Sequence, residues 1–271
     1  MIAGQISILM SVYNAEETLR QSIDSVLAQT YTNWRFIICN DCSTDASEAI
    51  LKEYAQRYPD KFLLIKNEKN MRLAASLNHC LEYADGEYSA RMDADDYIAR
   101  DRFEKQIAYL KAHPDVQLVG TLMQVFNEKS GLGRVIEYDE FPDKFDLRKG
   151  PVFSHASILT YTQVYKDLDG YIVSPRTARS QDYDLWFRFY ARGFKGANLQ
   201  EPLYFVREDE NAFLRRRAKL YFWAVVTRWK GFRMLHYPLK YYIYVAAPLG
   251  AFVRNEFRKM RARMTRSAKG N

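Results

Sequence analysis

Ile6-Ser7-Ile8-Leu9-Met10-Ser11-Val12-Tyr13-Asn14 decides how the rest of the chain is read. Ile6 to Val12 is an almost unbroken apolar run of strand length, which predicts a strand buried on both faces, and Tyr13-Asn14 supplies a turn and a helix N-cap. Over Ala15 to Gln29 the apolar residues Leu19, Ile23, Val26 and Leu27 then recur at helical spacing, with Glu16 and Glu17 in the first turn where they complement the helix dipole. Trp34 to Cys39 is the next strand and ends in Asn40-Asp41-Cys42-Ser43-Thr44-Asp45. Strand, helix and strand make a βαβ start. Its sheet is expected to be parallel, with ligands at the carboxyl ends of the strands, where Tyr13 and Asp41 both fall.

The pattern continues with a helix over Asp45 to Arg57, a short strand over Phe62 to Lys66, and a helix over Leu73 to Tyr83 closed by Asp85-Gly86. The strand-like run Glu87 to Met92 follows, and it ends in Asp93-Ala94-Asp95-Asp96. Three carboxylates where a buried strand leaves the core repel one another unless a cation is near. Their hard oxygens suit Mg²⁺ or Mn²⁺, and Mg²⁺ is commonly held by one or two carboxylates together with substrate phosphates. Simple capping of the helix over Arg100 to His113 is the competing reading. The βαβαβ order brings Tyr13, Asp41 and Asp95 to one rim and favours the metal with its nucleotide.

The second half reads as a mixed sheet. Val116 to Phe126 and Arg134 to Tyr138 are strand-like about the turn Lys129-Ser130-Gly131, and His155 to Leu159 reads as a further strand before a short helix to Leu168. Ile172 to Ser180 has no periodicity and is expected to be a mobile loop beside the site. Gln181-Asp182-Tyr183-Asp184-Leu185-Trp186 opens a helix with acids at its N-terminus and aromatics behind.

The 271 residues suffice for one large α/β domain or a domain with an appendage, and nearly half are apolar, which excludes overall disorder. Three cysteines without a secretory segment ahead of the first strand predict a reducing, cytoplasmic setting. Cys39 and Cys42 have redox spacing, but they straddle a strand end and no second pair exists for zinc, so they read as packing residues.

Charge is divided unevenly. From Leu214 onward there are fifteen Lys or Arg against one acid, whereas the first 213 residues carry 25 bases and 32 acids. A basic tail on an acidic body predicts an anionic surface as partner. Its basic residues alternate with blocks such as Leu220 to Val226, which suits a helix lying among lipid headgroups better than nucleic-acid contact. The uncharged stretch Tyr241 to Val253 has thirteen residues with Pro248 and Gly250 inside, too few to cross a bilayer, so it is expected to be interfacial or re-entrant. Arg254 through Arg266 then restores positive charge.

Together, Ile6 to Asn14 with Glu16, Asn40 to Asp45, Asp93 to Asp96 and Gln181 to Trp186 resemble the motifs of glycosyltransferase family 2, in order and over about residues 5 to 207. The resemblance implies the GT-A fold, a Rossmann-like α/β architecture whose mixed, mostly parallel sheet is flanked by helices. Residues 1–213 would form this domain, with a nucleotide-binding half over 1–100 and an acceptor-binding half over 101–213. Residues 214–271 would be a basic, aromatic, membrane-associating region at the cytoplasmic face of the inner membrane.

In that scheme Tyr13 would stack on the base of a nucleoside diphosphate sugar, Asp41 would accept the uracil N–H, and Ser11 and Glu16 would line the same pocket. Asp93 would touch the ribose or the metal's surroundings, Asp95 would hold Mn²⁺ or Mg²⁺, and Asp182 would be the general base of an inverting transfer. Bacterial relatives that build surface polysaccharides on lipid carriers are the nearest in kind, so the acceptor is expected to be a saccharide on a lipid. His155 lies in the family's histidine-containing segment, and Trp186 reads as packing.

Departures from the family pattern are Gln181 where Glu is common, Cys42 and Arg72 at frequent Gly positions, and Asp209 in place of a His. Cys42 is therefore expected to avoid positive φ, while Arg72 would reach either the diphosphate or solvent. Two other functions compete. A sugar nucleotidyltransferase would need a Gly-rich, basic phosphate loop near the N-terminus, and none is present. A non-catalytic nucleotide- or saccharide-binding membrane subunit is left open by Gln181 and Asp209.

Overall fold

A computed structural model describes residues 1–208 and 218–269. Arg215-Arg216-Arg217 and Asp209 lie outside the described residues. Nine strands form a sheet of order β3-β2-β1-β4-β8-β6-β9-β5, with β7 paired on β6. Strands β1 (Ile2–Val12), β2 (Trp34–Asn40), β3 (Phe62–Lys66) and β4 (Gly86–Arg91) are mutually parallel, as the βαβ pattern predicts. Their crossovers are α1 (Leu19–Leu27), α2 (Ser47–Arg57) and α3 (Arg72–Leu81). Because β2 and β4 flank β1, the strand order reverses there, and the crevice above Val12, Asn40 and Arg91 is where such sheets receive ligands.

The second half is mixed. β6 (Leu118–Asn127) and β7 (Gly131–Ile136) form a hairpin, while β8 (Leu159–Tyr161) runs antiparallel between β4 and β6. β9 (Gly196–Arg207), a strand that the sequence reading did not anticipate, pairs parallel with β6 and antiparallel with the two-residue β5 (Tyr97–Ile98). Helices α4 (Arg102–Ala112), α5 (Thr162–Asp167) and α6 (Gln181–Ala191) cover this half.

Three expectations are corrected. Helix α1 begins at Leu19 and not at Ala15, because Ala15 to Thr18 form a turn whose amides are taken elsewhere: Ala15 N–H donates to Ser47 Oγ at 2.9 Å and Glu16 N–H to Asp45 at 3.0 Å. His155 to Ser157 is a 3₁₀ turn, because the Ser157 amide folds back on the Ser154 carbonyl and its Oγ accepts the Thr121 amide, so only Leu159 onward pairs in the sheet. Cys42 does adopt a positive φ, +64°. An L residue loses roughly 1–2 kcal/mol there, and the local bonding sets the turn: Asn40 Oδ1 takes the Ser43 amide, and Asp41 turns back to meet the Met71 and Arg72 amides.

The C-terminal region shares the core of the body. Helix α7 (Ala218–Met234) lies on α6, a 3₁₀ segment covers Leu239–Ala246, and α8 (Ala247–Lys269) ends the description. Phe232, Leu235 and Tyr237 are buried in one cluster with Trp186, Phe187 and Phe189 of α6. Arg228 ties the two parts further by donating to the carbonyls of Arg148, Lys149 and Tyr244. No helix among the described residues is long and apolar enough to cross a membrane.

The α6–α7 contact depends on Gly231, where a methyl group would overlap the Phe187 ring. Overpacking of this kind costs about 1–3 kcal/mol. Gly231→Ala is expected to lower stability in urea titrations by that amount, while Gly150→Ala, with open space around it, should leave the midpoint unchanged.

Candidate active site

At the carboxyl ends of β1, β2 and β4 lies one cavity of about 1850 Å³. Ser11, Tyr13, Glu16, Asp41, Asp93 and Asp95 all line it, so the turns after the three strands converge as the sequence expectation requires. Gln181 lines it as well. Asp182 is not among the lining residues; it stands one position behind, at the start of α6, with its side chain only partly exposed.

The turns are knitted by side chains. Asn14 Oδ1 accepts the Thr44 amide at 2.8 Å, and Glu16 Oε2 accepts that of Ala46 at 2.8 Å. Glu16 thus braces the start of α2. Tyr13, 51% exposed, keeps its ring free at the rim. Asp41 is buried, and its Oδ1 accepts Asn67 Nδ2 and the Met71 amide while Oδ2 accepts the Arg72 amide. A carboxylate offers about four acceptor positions, so Asp41 fixes the Asn67–Arg72 turn and retains one position on Oδ2. Arg72, at φ +69°, lines the cavity with its side chain exposed.

The carboxylate turn after β4 has a cationic floor. Arg91 is wholly buried and paired with Asp93, and its Nε and Nη1 have no partner among the described residues. Burial opposes its charge, but Asp93 and the surrounding tyrosines outweigh burial and raise its pKa. Arg102, also buried, donates to the carbonyls of Arg91 and Ile158, and burial pushes its guanidinium down to about 10. From above, Thr18, the N-cap of α1, and Ser22 of α1 donate to the carbonyls of Ala94 and Asp93, each at 2.8 Å.

Asp96 does not cap α4, whose N-cap is Asp101; it is buried and accepts the Arg207 amide at 2.8 Å. Burial, then Asp93 and Asp95, push its carboxyl well above the usual range. Asp95 is exposed at the cavity. Burial of its surroundings and the Asp93 charge raise it too. Like charges about 4 Å apart repel by roughly 4 kcal/mol at an effective dielectric near 20, and against the three carboxylates stand Arg91, paired with Asp93, and Arg207, whose charge acts on Asp95. The cluster is short of positive charge. Among the described residues no group of three or more His, Cys, Asp or Glu could hold a metal alone, but two carboxylates completed by phosphate oxygens is the donor set that Mg²⁺ and Mn²⁺ accept.

Behind Gln181, burial raises the Asp182 carboxyl, while its own and the Tyr183 amide and the Arg91 charge work in the other direction. His155 lies beneath the cavity lining, bonded through Nε2 to Tyr171 Oη at 2.7 Å, and burial followed by the Arg91 charge holds it far below its ordinary value, so it is neutral. Trp186 is fully buried against Phe153 and Phe189, as packing requires.

Sequence reasoning missed Arg91, Arg102, Thr18 and Ser22. Their spacing in the chain carries no signal: Thr18 and Ser22 act on a turn more than seventy residues away, and nothing in the chain shows that Arg91 and Arg102 are buried beneath that turn. It also missed the contribution of α7: Lys219, Leu220 and Trp223 line the same cavity, together with Pro175, Ala178 and Arg179 from the loop before α6. That loop, expected to be mobile, is anchored. Thr177 is buried and Arg176 pairs with buried Asp184 at 2.6 Å.

Comparison with known proteins agrees with this geometry. The family description Glycosyl transferase family 2 matches residues 7–169. EpsE of Bacillus subtilis (strain 168) is 45% identical over 262 residues, covering 95% of this chain and 94% of its own. The UDP-Glc:alpha-D-GlcNAc-diphosphoundecaprenol beta-1,3-glucosyltransferase WfgD of Escherichia coli is 30% identical, covering 67% of this chain and 68% of its own. Among solved structures, S. aureus TarS 1-349 in complex with UDP-GlcNAc superposes with a TM-score of 0.69 at 16% identity, over 94% of this chain and 73% of that one. With a GT-A fold, these carboxylate turns and relatives alike over almost its whole length, the chain belongs to glycosyltransferase family 2.

Proposed function

We propose that this glycosyltransferase moves a sugar from a UDP-sugar, with Mn²⁺ or Mg²⁺, onto a hydroxyl of a lipid-linked saccharide, inverting the anomeric configuration. The observation that carries the reading is the convergence of Tyr13, Asp41, Asp93 and Asp95 on one cavity. Tyr13 offers an exposed ring for the base, and Asp41 offers its remaining acceptor position to the uracil N–H. Asp95, with Asp93, would hold the cation. When bound, the metal supplies Lewis-acid neutralisation of the departing diphosphate. Arg91, paired with Asp93, holds that side chain in place beneath it.

Asp182 is the proposed base, taking the acceptor hydroxyl proton as the oxygen attacks from the face opposite UDP. Its raised carboxyl suits this work, because a base is most effective when its pKa approaches the working pH. The name of WfgD specifies a diphosphoundecaprenol acceptor, which supports a lipid-linked acceptor here. So does the C-terminal surface, where Leu239 is 86% and Ile243 77% exposed beside Lys240, with Val253 and Phe257 exposed near Arg254. Apolar side chains flanked by cations suit an anionic membrane face. A non-catalytic binding role is the second reading, favoured by Gln181 occupying the lining where an acid is common.

Four measurements test these roles. In calorimetry, UDP-sugar binding is expected to require Mn²⁺ or Mg²⁺ and to weaken at least about tenfold in Asp95→Ala; equal binding without metal would remove Asp95 from the site. Asp182→Asn should lower turnover by about 10²–10⁴ with donor affinity kept, and unchanged turnover would favour the non-catalytic reading. Since a raised carboxyl must lose its proton before it acts, the acid limb of kcat/KM in the wild type is expected above the roughly 3.9 of an exposed Asp, with rate rising as pH rises through it. In flotation, vesicles containing phosphatidylglycerol should carry the protein upward and neutral vesicles should do so less.

A further inference from the structure

The cavity is larger than its nucleotide. Ligand pockets usually measure roughly 300–1,000 Å³, and at about 1850 Å³ this one has room for a second molecule beside a nucleoside diphosphate sugar. The residues assigned to the donor come from the ends of β1, β2 and β4. The rest of the lining comes from the start of α3, the β6–β7 turn, the end of β9, the loop before α6 and α7; in the last two Arg179 and Lys219 are both exposed, and neither has an acidic partner among the described residues. Leu220 and Trp223 stand beside them, and the Trp223 indole N–H, though buried, meets no acceptor there.

We propose that Arg179, Lys219 and Trp223 form the acceptor subsite, the two cations taking the diphosphate of a lipid-linked saccharide and the indole its first sugar. The proposal rests on the transferase reading above and assigns that reading its second substrate. Two cations suit a diphosphate, to which charge-assisted hydrogen bonds are short and strong. An indole offers a sugar both an apolar face and a donor for a hydroxyl.

The subsite is built before the ligand arrives. Thr177 is buried and bonded to Ile172 and Ser174, Arg176 is paired with Asp184, and Ser180 Oγ lies 3.3 Å from Thr227 Oγ1 of α7. Arg179 is therefore held by its neighbours on both sides, against the helix that carries Lys219 and Trp223. The same helix goes on to the exposed side chains of Phe222 and Trp229, with the Arg233 guanidinium over the Trp229 ring. A substrate whose lipid lies at that surface meets the cations where its phosphates emerge.

The test is binding to the full chain saturated with UDP and Mn²⁺, read by calorimetry, with two probes: farnesyl-diphosphate-linked N-acetylglucosamine, and octyl N-acetylglucosaminide, which has no phosphate. The diphosphate probe is expected to bind the UDP-loaded protein. Arg179→Gln and Lys219→Gln should each weaken it about tenfold or more, while altering UDP affinity and octyl glycoside affinity less than about twofold. Trp223→Phe, which keeps an aromatic ring but removes the indole N–H, should weaken both probes alike.

Failure of the diphosphate probe to bind the wild type, or an undiminished affinity in both cation variants, overturns the proposal. An equal loss of UDP affinity assigns the cations to the donor instead. Loss of flotation with phosphatidylglycerol vesicles, with probe binding kept, assigns them to lipid headgroups. Transfer is scored separately on the same probes. Probe binding with the expected losses but no sugar transfer leaves the subsite and removes the transferase reading; transfer that both cation variants sustain at wild-type KM removes the subsite and leaves the reading.

Discussion

A guanidinium without access to water underlies the rim of this sheet. Arg91 ends β4 in the middle of the fold, where an unpaired charge would be prohibitive, and the pairing with Asp93 is what makes it tolerable. The constraint runs both ways. Asp93 must face Arg91, so the chain beyond it can turn in few ways, and Asp95 is delivered to the cavity as a result. Arg102 holds the Arg91 carbonyl from below, and Thr18 and Ser22 hold the carbonyls of Ala94 and Asp93. The field of the same cation reaches Asp182 and His155, favouring the ionised form of the first and the neutral form of the second.

Hydrophobic patterning was enough to recover the four parallel strands, their crossover helices and the mixed second half, because strands buried on both faces and amphipathic helices have periods that show in the chain itself. The polar turns after β1, β2 and β4 were legible for a related reason: carboxylates clustered where apolar runs end have few explanations. Elements whose form depends on distant partners were not legible. β9 has meaning only through β6 and β5, and its segment carries no distinctive alternation. The His155 turn is shaped by the bond between Ser157 and the Thr121 amide. Cys42 took the conformation its residue type disfavours, since Asp41 must face two amides thirty residues further on.

The candidate site divides the same way. Six residues named from the motifs share one cavity; the loop of Arg179 was expected beside the site and a basic helical region folded onto the body was one reading of the tail, but no spacing in the chain shows that Lys219 and Trp223 join Arg179 in one wall. Asp182 shows the limit of a motif: the pattern names the residue, while the backbone turns Gln181 to the cavity and leaves Asp182 behind it.

Helix α7 is no tether. Its Phe232 lies in the same cluster as Phe187, and its Thr227 meets the loop that carries Arg179. Domains joined to an anchor by a flexible linker sample a range of heights and tilts, and their reach follows linker length. Here the cavity and the exposed Leu239 and Ile243 belong to one packed body, so a surface that receives those side chains would also set the stand-off of the cavity. Such a body works as a ruler, and the number of sugars between an acceptor's phosphates and its free hydroxyl would decide whether that hydroxyl arrives at the donor.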